Sequence, residues 1–315
     1  MIMYSMAKGC ATIMKNKPKI AVLGGDLRQI AVAKELSKKE IGVYVNGLCT
    51  ELSTDNGIKE CGDIVEAVSA CDAVILPLPA STDGNVLNCP ALKNCERVPL
   101  EYIIEHMNER SLLFGGRIPE TIVVKAQERG IKVHDYFLWE KLQIKNAYIT
   151  AEAALSIAMN SLDKCIKEAK FVVTGSGRIS RLLCELLKRF GCDVTVAARN
   201  ADSLVYFELL GCNTVQICEG KHKWYERLEM DYDIIFNTVP SWLFDRAFLE
   251  NADRSLMIIE LASAPGGVDI CAARELSTNV LWASSLPGKY APYSAGRLIA
   301  ECIFEKLCDK EVGVL

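Results

Sequence analysis

Short apolar runs alternate with stretches whose apolar residues recur every three or four positions, along most of the 315 residues. The runs read as buried strands and the three-to-four spacing as amphipathic helix. Strands are thus expected at Lys19–Leu23, Val43–Val45, Ala73–Leu78, Leu112–Phe114 and Lys132–His134. Helices fall between them at Arg28–Lys39, Asp63–Ala70, Leu100–Met107 and Ile118–Arg129. Ser81–Pro99, broken by Pro90, Pro99 and Gly/Asn pairs, is expected to be a loop. Thr150–Ala169, apolar at its start and charged at its end, predicts one long helix. Six more strands follow, at Phe171–Thr174, Val194–Ala197, Thr214–Gln216, Ile234–Asn237, Met257–Glu260 and Val280–Trp282. Ala295–Leu307 predicts a closing amphipathic helix.

Strands separated by helices argue for parallel sheets covered on both faces. The expected fold is α/β, with two Rossmann-like doubly wound parallel-sheet domains joined by a long helix. The pattern divides the chain into a loosely ordered extension (1–17), a substrate-side domain (18–149), a bridging helix (150–169) and a nucleotide domain (170–294). A final helical segment (295–315) returns toward the first domain.

The stretch from Phe171 to Arg199 carries the strongest chemistry: an apolar strand, a glycine turn, an amphipathic helix and a second strand. Gly175 and Gly177 sit where a dinucleotide fold needs a tight turn and a close approach of pyrophosphate to backbone. Ser176, Arg178 and Ile179 complete the turn, and the helix start offers free N–H groups to phosphate. An NAD site ends its second strand in an acid, whereas an NADP site uses arginine. Here the strand ends in Arg199 and Asn200, so NADP is favoured, with Asn200 and Ser203 as further donors to a 2′-phosphate. The alternative is a solvated loop arginine. Ser180 replaces the usual third glycine, which predicts a helix set slightly further from its sheet.

The first turn of the N-terminal block, Gly24-Gly25-Asp26-Leu27-Arg28, lacks the second glycine, and Asp26 opposes phosphate. Asp26 reads as a helix N-cap, which frees Arg28 to hold a substrate carboxylate. Ligands of open parallel sheets bind beyond the carboxyl ends of strands. Asn237, Thr238, Val239 and Pro240 end one such strand and are candidate nicotinamide-ribose contacts. Ser263, in the run that follows Glu260, and Pro287 and Gly288, in a turn-rich segment, join Asp26, Arg28 and Thr150 as substrate-binding candidates, and Lys289 and Tyr290 of that segment are catalytic candidates. Thr150 and Glu152 open the expected bridging helix, where Glu152 among alanines reads as sheltered acid/base or as a first-turn acid answering the dipole. Each strand-end segment is equally readable as a plain connecting loop.

Composition changes this picture little. A formal charge of −4 points to neither nucleic acid nor an anionic membrane as partner, and no apolar run approaches spanning length. Fourteen cysteines show no C-x-x-C pair, so neither a zinc ribbon nor a thioredoxin motif is expected, and no metal. Cysteines such as Cys71, Cys165, Cys184 and Cys302 read as small hydrophobes of a reducing cytoplasm. The three histidines, His106, His134 and His222, all fall outside the late strand-end loops. That argues against a histidine acid/base and for hydride removal from a ring that gains aromatic character.

At IAVLGGDLRQ, AVILPLPASTDG, NAYITAEAAL, TGSGR with AAR, NTVPS, ELASAPGGVD and LPGKYAPYSAG the chain resembles the dipicolinate synthase A-subunit family of endospore-forming bacteria. The resemblance covers nearly everything after Lys19. It implies NADP-dependent oxidation of dihydrodipicolinate, formed from 4-hydroxy-tetrahydrodipicolinate, in the mother-cell cytoplasm during sporulation. It also implies a partner, the flavoprotein-like B subunit of dipicolinate synthase. Arg28 and Lys289 then become candidate holders of the two carboxylates, and Glu152, Lys289, Tyr290 or water the proton acceptor. An amino-acid or shikimate-type dehydrogenase and a non-catalytic NADP-binding protein stay open as rival readings. A homo-oligomer stays open too.

Overall fold

Continuous apolar runs become strands because both faces of a parallel sheet are covered. In the computed structural model, which describes residues 17–48, 57–90, 97–218, 224–228 and 231–309, Ile20, Ala21, Val22 and Leu23 are wholly buried. The expected N-terminal extension, apart from Lys17, and His222 lie outside the described residues. The first sheet comprises β1 (Lys19–Leu23), β2 (Gly42–Asn46), β3 (Ile58–Glu60), β4 (Ala73–Ile75), β5 (Leu112–Gly115) and β6 (Lys132–Asp135). Its order is β3-β2-β1-β4-β5-β6, every pair parallel. Helices α1 (Leu27–Ser37), α2 (Ile64–Ser69), α3 (Leu100–His106) and α4 (Glu120–Glu128) connect these strands. β3 escapes the sequence pattern because it is a three-residue edge strand with Lys59 and Glu60 exposed.

The long helix is shifted from its expected place. It runs as α5 over Glu140–Ser161, not 150–169. The helical composition of 162–169 is overridden by contacts at the base of the next strand. There Lys164 pairs with Asp233 at 2.8 Å and the Lys170 N–H donates to the same carboxylate at 2.8 Å. Cys165, expected as apolar filling, is exposed in that turn.

The second sheet repeats the plan with β7 (Lys170–Thr174), β8 (Asp193–Ala198), β9 (Asn213–Gln216), β10 (Ile234–Asn237), β11 (Met257–Glu260) and β12 (Asn279–Trp282). It is parallel, in the order β12-β11-β10-β7-β8-β9. Taken from the other edge, that is the strand order of the first sheet, the dinucleotide-fold order. Helices α6 (Arg178–Arg189), α7 (Ala201–Leu209), α8 (Arg246–Asn251) and α9 (Ile270–Leu276) cover it. The turn-rich segment after β12 is helical: α10 (Leu286–Tyr290) is followed by α11 (Pro292–Leu307). Pro292 starts α11 because a first-turn residue needs no N–H partner.

Two compact units result, one of residues 1–145 and 291–315, the other of 146–290. In the first, α11 lies against α1 and buries Ile299, Cys302, Ile303 and Leu307 in the core formed with Ile30, Ala33 and Leu36. Gly296 sets how closely the helices approach. A Cβ there would enter the Arg28 carbonyl and stand 2.7 Å from Ala31 Cβ. Because backbone cannot rotate away as a side chain can, Gly296→Ala is expected to cost about 2–3 kcal/mol. Urea unfolding reads this out; an unmoved midpoint would show that the helices separate freely.

Candidate functional site

The turn after β7 is built around one left-handed glycine. Gly175 adopts φ +95°, and its N–H donates to Ala197 O at 2.8 Å. A Cβ there would stand 2.6 Å from Thr238 Oγ1 and 2.9 Å from Val239 Cγ2. Thr238 spends its only hydroxyl proton on Thr174 O at 2.7 Å, so Ser180 Oγ donates to Thr238 at 2.8 Å. Ser180 is wholly buried within this network. Its hydroxyl joins the helix to the end of β10.

Gly177 is the opposite case. It caps α6 at an ordinary φ of −78°, and a Cβ there would meet nothing within 4 Å. No acid lies in the first turn of α6. Gly177, Arg178 and Ile179 therefore bring backbone and the positive end of a twelve-residue helix to open space, as a phosphate requires.

Beneath the turn lies a buried polar brace. Thr174 Oγ1 donates to Asn237 Oδ1 at 2.5 Å, and that oxygen also accepts from Val239 N at 3.1 Å. Asn237 Nδ2 donates to both oxygens of Glu260, at 2.9 and 2.8 Å, and to Val239 O at 3.1 Å. Asn237 is thus wholly buried and committed inside the fold, not free for a ribose as expected. Glu260 is also wholly buried and accepts from Ala262 N and Gly267 N, each at 2.9 Å. Burial raises its carboxyl above the usual range, while the Gly267, Asn237, Ala262 and Val268 donors oppose the rise. In the sequence Glu260 reads only as the end of a strand. A charged residue closing an otherwise apolar run was the available signal.

The other strand ends are more open. Arg199 is exposed beyond β8, and its carbonyl accepts from Gln216 Nε2 at 3.2 Å. Asn200, exposed, caps α7, its Oδ1 accepting the Ser203 N–H at 3.0 Å, so that N–H is committed. Val239 is half-buried; Pro240 and Ser263 are exposed. In α10 Pro287 is buried, the Gly288 N–H donates to Ser285 O at 3.1 Å, and Lys289 and Tyr290 are exposed.

Thr150 and Glu152 lie in mid-helix instead of opening it. Thr150 Oγ1 bonds back to Asn146 O at 3.0 Å. Ala151, Ala153 and Ala154 are buried, but Glu152 turns to the exposed face, so the alanines around it do not shelter its carboxylate.

The corresponding turn of the first unit is filled. The Gly25 N–H donates to Asn88 O at 2.8 Å, and a Cβ on Gly24 would meet that oxygen at 2.9 Å. Asp26 caps α1 and grips Arg28: Nε donates to Oδ1 at 2.9 Å and Nη2 to Oδ2 at 2.8 Å. Arg28 Nη2 also reaches Leu78 O at 2.5 Å. Arg28 is therefore not the uncommitted guanidinium expected. Only its Nη1 lacks a partner among the described residues.

Among the described residues no helix is long and apolar enough to cross a membrane. Residues 19–137 match the family described as the N-terminal domain of the dipicolinate synthase A subunit. The dipicolinate synthase A subunit of Bacillus subtilis (strain 168) is 27% identical over 294 residues, covering 92% of this chain and 96% of the relative. The solved A chain of Bacillus subtilis dipicolinate synthase superposes with a TM-score of 0.80 at 26% identity, covering 95% of this chain and 98% of that one. The dipicolinate synthase A subunit from Bacillus halodurans gives 0.82 at 22% identity over 93% and 98%. Escherichia coli D-lactate dehydrogenase shares the fold alone, with a TM-score of 0.56 at 15% identity over 94% and 98%. Over its N-terminal domain match and over nearly the whole of both chains, the chain is similar to dipicolinate synthase A subunits.

Proposed function

We propose that this chain oxidises dihydrodipicolinate, formed from 4-hydroxy-tetrahydrodipicolinate, to dipicolinate with NADP, together with a flavoprotein-like B subunit in a sporulating mother cell. The observation that carries this reading is the pairing of an open Gly177 cradle with Arg199, not an acid, at the end of β8. The backbone of Gly177, Arg178 and Ile179 suits the diphosphate, and Arg199 with Asn200 suits the 2′-phosphate. NADP, when bound, supplies a hydride acceptor. Loss of hydride and a proton leaves an aromatic pyridine ring, so a modest base suffices. Glu152, Lys289 and Tyr290, all exposed, are the proposed proton acceptors, and Arg28 offers Nη1 to a carboxylate.

NADP⁺ is expected to bind at least about tenfold more tightly than NAD⁺, a charge-assisted contact being worth that much. Arg199→Ala is expected to erase the difference. Fluorescence titration with NADPH and NADH measures both proteins; equal affinities in the parent chain would reject the role of Arg199.

A further inference from the structure

A second guanidinium stands at the carboxyl end of the first sheet, on a residue whose side chain its turn does not need. Arg117 follows β5 with φ +54°, the left-handed region where a side chain is strained and glycine is not. Asp135 fixes the turn, its carboxylate accepting the N–H groups of Arg117 (3.1 Å), Ile118 (3.1 Å) and Phe137 (2.9 Å). A glycine would satisfy those bonds equally well. The arginine side chain is exposed and lies over the Phe137 ring at 4.7 Å. Among the described residues its guanidinium has no anionic partner. Stacking on an aromatic face leaves the N–H edge of the guanidinium free and limits its rotation, which suits a bidentate carboxylate.

The same sheet edge holds Arg28. Leu78 joins the two: its carbonyl takes Arg28 Nη2 at 2.5 Å, and its side chain is packed where a Cβ on Gly116 would stand 2.5 Å from Cδ1. Hydrogen bonds from Gly116 N to Pro77 O (3.2 Å) and from Ala80 N to Gly116 O (2.8 Å) tie this loop to the Arg117 turn. The nearby acids are already engaged, Asp26 by Arg28 and Asp135 by three backbone N–H groups. Two guanidinium edges, one from Arg28 Nη1 and one from Arg117, therefore flank a single loop.

We propose that Arg117 is a substrate-binding residue that takes one carboxylate of a planar dicarboxylic acid while Arg28 Nη1 takes the other. This rests on the dicarboxylate reading above and adds a residue to it. The test is calorimetric titration of the full chain with pyridine-2,6-dicarboxylate and with pyridine-2-carboxylate, in the parent and in Arg117→Gly. Glycine relieves the backbone, so the variant is expected to melt no lower than the parent. The parent is expected to prefer the diacid by at least about tenfold, the worth of one more charge-assisted contact. Arg117→Gly is expected to lose that preference while NADPH affinity stays unchanged. A variant that keeps the preference overturns the role of Arg117 and leaves the proposed function standing. A parent that does not distinguish the two acids overturns both.

Discussion

Gly175→Ala is expected to destabilise the protein by about 3 kcal/mol, whereas Gly177→Ala leaves stability within about 0.5 kcal/mol and abolishes tight dinucleotide binding. The two glycines lie two residues apart, and geometry separates their roles. At Gly175 the backbone is left-handed, and a methyl group would press on Thr238 and Val239, which are locked to Thr174 and Asn237. That strain falls on the folded state whether or not a ligand is present. At Gly177 the backbone is ordinary and the space above it open. There a methyl group lowers the entropy of the unfolded chain and slightly weakens the cap, two small effects of opposite sign. What it obstructs is anything that must approach the α6 N-terminus. Thermal melts of both variants, with NADPH titration of Gly177→Ala, separate the two roles. Unimpaired NADPH binding by Gly177→Ala would remove the diphosphate from this turn.

Glu260→Gln is expected to cost about 3 kcal/mol, although it removes a buried charge and keeps the side-chain shape. Every group around the carboxylate is a donor: Ala262 N on one oxygen, Gly267 N on the other and Asn237 Nδ2 on both. Either orientation of a glutamine amide would turn its NH2 against a backbone N–H. One charge-assisted bond is lost and one buried N–H is left unpaired, each worth about 1.5 kcal/mol or more. Against this stands the relief of desolvation, the same burial that raises the Glu260 carboxyl. The donors are expected to win because there are several and two of them are immovable backbone. Denaturant unfolding measures the balance. A variant as stable as the parent would mean that desolvation outweighs the donors. Because Asn237 also holds Val239 and Thr174, the loss should spread to the cofactor turn, read as weaker NADPH binding in the folded variant.

Much of the candidate site was legible because its parts are local. The strand–turn–helix of Phe171–Arg189 carries its own apolar period and its glycines, and β10 and β11 match their expected limits residue for residue. The Asp26 cap was equally legible, since a cap bonds within two residues. Its consequence was not. Arg28 is turned back onto Asp26 and onto Leu78, fifty positions away, and no local pattern announces a partner at that separation. Ser180 illustrates the same limit. Read as an imperfect glycine, it is a hydroxyl whose acceptor lies just past the end of another strand.

From its order of residues alone, the chain determined its strands, most of its helices, the parallel α/β plan and its likeness to dipicolinate synthase A subunits, because periodicity, turn chemistry and contiguous motifs act over a few residues. Tertiary structure decided where α5 begins and ends, that Asn237 and Glu260 are an internal brace, and that Arg28 is engaged by Asp26 and Leu78 while Arg117 stacks on Phe137. The physical reason is that burial and hydrogen-bond partnership depend on which strand ends the fold brings side by side. In a parallel sheet those neighbours are separated by a whole crossover helix.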